Sequence, residues 1–142
     1  MPRYQHIMLA VDFNKEAPFL INTAVERARA EQSKLSAIHI DNSIAAPYHQ
    51  MVEIDLDEYC QVSDLASAKS LKDLLELTDY PVEPHVLCGT NFAAMITNAI
   101  QKHSVDLLIM GHHRYSWLGD IFSSASESIV RKMPCDILLI KV

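Results

Sequence analysis

Two stretches of this chain carry an apolar run into residues that could do chemistry. His6–Asp12 (HIMLAVD) ends on a carboxylate, and Val105–Arg114 (VDLLIMGHHR) ends on a glycine, two imidazoles and a guanidinium. Asp12 could act as a general base, although an acid at a strand end more often caps a loop or touches the ribose or base of a ligand. His112 and His113 could ligate a metal. Adjacent histidines rarely point to one ion, however, and the sequence places no third ligand, so no metal is expected. Ser123, Ser124, Ser126 and Ser128 offer hydroxyls for phosphorylation or, the preferred reading, for capping a helix start.

Other reactive groups are scattered. Cys60, Cys88 and Cys135 show no CxxC or metal spacing. An odd count in a well-cored chain is read as reduced, mostly buried thiols, since a redox sensor needs a lowered thiol pKa that nothing nearby advertises. Asp41, Glu53, Asp55, Asp57 and Glu58 form an acidic stretch without Lys or Arg. They lack the glycine and spacing of a calcium loop and read as a solvated flap. No Ser-His-Asp or Cys-His arrangement has readable spacing. No catalytic residue is assigned, and the chain is expected not to be an enzyme.

The elements that must position these groups follow from periodicity. Gln5–Asp12, Lys34–Asp41, Val82–Cys88, Val105–Gly111 and Cys135–Val142 read as strands, several of them continuous apolar runs suited to burial on both faces. Between them, amphipathic spacing marks helices: one from Pro18 carrying Leu20, Ile21, Ala24, Val25 and Ala28, and one over Tyr59–Leu77. A third, with Phe92, Met95, Ile96, Ala99 and Ile100, follows a Gly89–Asn91 turn and cap. A fourth is capped by Asp120. Pro84 marks the third strand as an edge strand.

Alternating strands and helices predict an α/β fold: a five-stranded parallel sheet in the order 3-2-1-4-5 with helices on both faces. In such sheets ligands bind beyond the carboxyl ends of the strands where the order reverses. That places Asp12 and Gly111 at one crevice.

The 142 residues suffice for a single domain over 1–142. A formal charge of −6 without a Lys/Arg-rich run excludes a nucleic-acid binder held by phosphate contacts. No apolar run reaches the ~20 residues that span a bilayer. Without a cleavable leader pattern at the start, the expected location is the cytoplasm.

HIMLAVDF at the start, LSAIHID, VDLLIMGHH and SSASESIVRKMPCDILLI at the end carry a resemblance over essentially the whole chain. The chain resembles the universal stress protein family, more closely its A type. This implies the Rossmann-like architecture of the wider adenine-nucleotide α-hydrolase-like group. One branch of the family resembles ATP-binding proteins with a late motif of Gly, two residues, Gly, nine residues and Gly-Ser or Gly-Thr. Glycines there let backbone N–H groups cradle phosphates without obstruction, and the acid after the first strand contacts the adenosine moiety.

Here Asp12 and Gly111 match that pattern. The second glycine position is Arg114, and the Gly-Ser pair appears as Ser123-Ser124, one residue short; strict spacing puts Ser124-Ala125 there. Gly-His-His and the double serine resemble the branch regarded as not binding ATP. Side chains at Arg114 and Ser123 would occupy volume the triphosphate needs, although Arg114 could itself pair with a phosphate bidentately.

The primary expectation is therefore a homodimeric cytoplasmic stress-response protein acting through contacts with unidentified proteins, with no cofactor. The alternative is an ATP or nucleotide sensor using Asp12, Ile40 and Gly111 with Arg114, Ser123 and Ser124 in place of the cradle. A weaker third is slow phosphotransfer to a serine. The last strand, with Ile137, Leu138, Leu139 and Ile140 apolar on both faces at a sheet edge, invites antiparallel pairing with a second copy. The resemblance implies the same dimer.

Overall fold

In the computed structural model the described residues are 3–41, 56–89, 91–112 and 128–142. The elements are β1 (His6–Ala10), α1 (Ala17–Glu31), β2 (Lys34–Asp41), α2 (Leu56–Leu75), β3 (Val82–Cys88), α3 (Phe92–His103), β4 (Leu107–His112) and β5 (Asp136–Lys141). Residues 128–132 are also helical. The five strands pair in parallel in the order β3-β2-β1-β4-β5, as the alternating pattern predicts. Element ends shift by a few residues. β1 stops at Ala10 rather than Asp12, and α2 starts at Leu56 rather than Tyr59.

The sheet divides two cores. On one face α1 and α2 cover Ile7, Leu9, Leu35, Ala37 and Ile109. On the other, α3 and Ile129 cover Met8, Ile38, Ile40, Leu108 and Met110. β1 and β4 lie in the middle, so successive residues bury alternately on both faces, which is why their sequences are unbroken apolar runs. Ile7, Met8, Leu108 and Ile109 are each fully buried, contributing about 1.5–3 kcal/mol apiece.

Two helices stop in the same way without glycine. Gln32 and Ser104 adopt left-handed conformations (φ 55° and 54°) after α1 and α3. The next residue then donates back into the last turn, Ser33 N–H to the Ala28 carbonyl at 2.9 Å and Val105 N–H to Ile100 at 3.0 Å. These are Schellman closures, and they aim the chain directly into β2 and β4. Asn91 caps α3 by accepting from the Ala94 N–H at 3.1 Å.

One cysteine reading is overturned. Cys88 is disulfide-bonded; spacing along the chain carries no signal for a bond made by tertiary proximity. Cys135 is free and half-buried, and burial raises its thiol pKa, which keeps it unreactive.

Candidate functional site

The strand order reverses between β1 and β4. The connections from β1 and β2 cross on the α1–α2 face; those from β3 and β4 cross on the other. β1 and β4 therefore diverge at their carboxyl ends and leave a crevice there. Ala10 pairs beside Met110, which sets Asp12, just past the end of β1, near the level of Gly111, the last residue but one of β4, which pairs with Ile140 of β5. Both line the same cavity, with Val11, Asn14, Leu20, Phe92 and Val142. The predicted pair is thus brought together.

The remaining predicted residues divide. Ile40 is buried beneath α3 and does not line the cavity. Arg114, Ser123, Ser124 and His113 lie outside the described residues, as do Glu53 and Asp55 of the acidic stretch; its other members are not one flap, since Asp41 ends β2 and Asp57 and Glu58 fall in the first turn of α2. Ile137, Leu138, Leu139 and Ile140 lie on β5 at the sheet edge, as expected.

Two residues the sequence reading did not single out shape the crevice. Leu20, on the first turns of α1, leans across β4. A Cβ added to Gly111 would sit 2.9 Å from Leu20 Cδ1 and 3.4 Å from Val142 Cγ2. Close packing of these two side chains accounts for a glycine at this position. With them in place the cavity holds about 20 Å³, roughly the space of one water.

His39 is the second. Its Nδ1–H donates to the Val11 carbonyl at 2.9 Å, its ring lies 4.2 Å from that of Phe13, and the same nitrogen is 3.7 Å from Asp12 Oδ1. The Asp12 carboxylate, 32% exposed, is held at the crevice rim beside an imidazole. LSAIHID carries no local signal for this pair, because the acid that His39 meets is Asp12 from the end of β1 and not Asp41 in its own strand.

The far end of β5 is fixed from the amino terminus. The Tyr4 hydroxyl donates to Asp136 Oδ2 at 2.9 Å and Arg3 pairs with the same oxygen at 3.3 Å. The hydrogen bond to this carboxylate raises the Tyr4 pKa.

The structure is thus a doubly wound parallel α/β protein with an acid and a glycine at its switch point. The sequence model of the universal stress protein family matches residues 3–141. The chain belongs to that family. It is 29% identical over 137 residues to the universal stress protein A homolog of Haemophilus influenzae, covering 96% of each chain. Among solved structures, a universal stress protein family member from Burkholderia pseudomallei superposes with a TM-score of 0.72 at 18% identity, covering 96% of both chains. A universal stress protein in complex with cAMP superposes at 0.64 with 15% identity, again over 96% of both. At these identities the two structures share the fold.

Proposed function

We propose that this universal stress protein works as a cytoplasmic homodimer that acts through protein contacts, with the β1–β4 crevice serving as packed core. The crevice carries this reading: Leu20 and Val142 close over Gly111 and leave room for about one water, where a nucleotide pocket has hundreds of Å³. The absence of two of the three motif glycines supports it, as does the open edge at β5. The location agrees with the lack, among the described residues, of a helix long and apolar enough to cross a membrane. The Cys88 disulfide counts against it, because cytosolic thiols are kept reduced.

A nucleotide sensor is the second reading, favoured by Asp12 and Gly111 sharing one cavity and by the cAMP-bound relative. Leu20 would then have to swing out of the crevice. Calorimetric titration of the nucleotide-stripped protein with magnesium ATP, with Asp12→Ala as control, decides between the two. Absence of heat at high protein concentration is expected. Binding tighter than about 10 µM, ~7 kcal/mol, lost in Asp12→Ala, would replace the first reading with the second.

A further inference from the structure

α3 has to cross from β3 to β4, so its buried residues pack over the central strands with Met8, Ile38 and Leu108. β3 lies beyond that contact. By register, His85 and Leu87 share the sheet face of Ile38 and Ile40, yet both remain half-buried beside the helix instead of beneath it. The outcome is a groove of about 450 Å³ between α3 and the β3 edge, apart from the crevice. That volume lies within the range of small-molecule sites.

Its lining is mixed in a particular way. Leu87 and Met95 supply apolar surface, and Asn98 and Lys102 stand exposed on α3. The His85 and His103 rings lie against each other with centroids 4.3 Å apart at 35°. The His103 end is anchored because its carbonyl accepts from His6 Nδ1 at 2.8 Å.

Two polar groups here lack partners among the described residues. His85 Nε2 is buried with no hydrogen bond; Glu83 Oε1 stands 3.7 Å away, beyond hydrogen-bond reach, while the other oxygen of that carboxylate holds Lys34 at 2.8 Å. Lys102 has no carboxylate within ion-pair distance. Burial, then the neighbouring His103, holds the His85 pKa below its ordinary 6.5. Lys102 gives the groove a positive charge on an ammonium group.

We propose that the α3–β3 groove is a binding site for a small flat aromatic anion, its ring lying on the Leu87–Met95 surface beside the His85–His103 pair and its charge on Lys102. Thioether and imidazole surfaces suit an aromatic ring. The Asn98 amide offers both a donor and an acceptor to a polar ring edge. The unpaired ammonium selects a negative charge.

The test titrates the full chain with 1-anilinonaphthalene-8-sulfonate, read by fluorescence and by amide shifts in 1H–15N spectra. Saturable binding is expected, with shifts confined to residues 85–87 and 95–103 and no displacement by magnesium ATP. Lys102→Glu should weaken it at least about tenfold, and Asn98→Trp, which fills the groove, should abolish it. Both positions are exposed on the helix, and unchanged melting temperatures would certify the folds. Shifts that map instead to the crevice or to β5 would overturn the site, as would undiminished binding by Lys102→Glu or no saturation at millimolar probe. The parent protein's shift map decides the matter even if a variant fails to fold.

Discussion

β3 and β5 both terminate the sheet, and each presents one unpaired side of its backbone, yet their residues treat that side in opposite ways. β3 carries Pro84 at its centre, a proline that is tolerated in a sheet where no ladder hydrogen bond is required of it. Around it, Glu83 is tied to Lys34, His85 is stacked on His103, and Val82 and Val86 pack against the α1–α2 core. Among the described residues β5 has no such device. Leu138 and Leu139 point to opposite faces and are 36% and 42% exposed, so neither face is closed over them. Among the described residues, then, one edge is blunted and the other is apolar and uncovered. The comparison teaches that the two edges of one sheet can differ in what they offer a partner, and the proposed dimer would use the β5 end.

The largest expected effect comes from breaking the open edge. Leu139→Asp would appear twice in a two-fold interface. It should raise the dimer dissociation constant at least about a hundredfold, roughly 3 kcal/mol. The fold should change little, because the side chain is already half-exposed in the single chain. Sedimentation velocity reads the assembly and thermal melting the fold; a variant that dimerises like the parent would remove β5 from the interface.

Unblunting the other edge should do less. Pro84→Val restores an N–H at the β3 edge with a residue that favours strands. Species larger than a dimer should then appear at high concentration, with stability altered by no more than about 1 kcal/mol. An unchanged sedimentation profile would mean that features other than proline protect β3.

The smallest effect sharpens the comparison by pH. His85 titrates below its ordinary 6.5 in the folded chain, first through burial and then through His103; His6 and Lys34 push the same way, and Glu83 opposes them. The unfolded chain therefore binds the proton more readily, and the contribution is intact above about pH 6.5 and lost as pH falls below it. Glu83, held low chiefly by its hydrogen bond to Lys34, loses its contribution only below its ordinary 4.5. A modest fall in melting temperature between pH 7 and 5.5 is expected, and His85→Gln should flatten it. An equal slope in both proteins would assign the loss elsewhere.

Much of this arrangement was legible in the residues. Pro84 announced an edge, the element order put the ILLI strand at the other, and the closing acid of HIMLAVD and the glycine of VDLLIMG announced a shared crevice. Less legible were the contacts across the chain. Leu20 reads simply as part of a helix's inner face, and nothing local says that it bends over Gly111. Ile40 looks like a crevice residue from its place at a strand end, yet strand parity turns it under α3. Cys88 gives no local hint of its bond, and His85 and His103 lie too far apart in sequence to suggest a stacked pair.

By itself, then, the sequence determined the succession of elements, the order of the strands and which strands lie buried or at an edge. Hydrophobic periodicity is a property of short stretches of backbone, and it survives translation into three dimensions. Only the tertiary structure decided what fills the space between those elements: Leu20 and Val142 over Gly111, the imidazole beside Asp12, and the groove left where α3 falls short of β3. Those outcomes depend on side chains from distant segments competing for the same volume, where a shift of an ångström decides whether a site is open or packed.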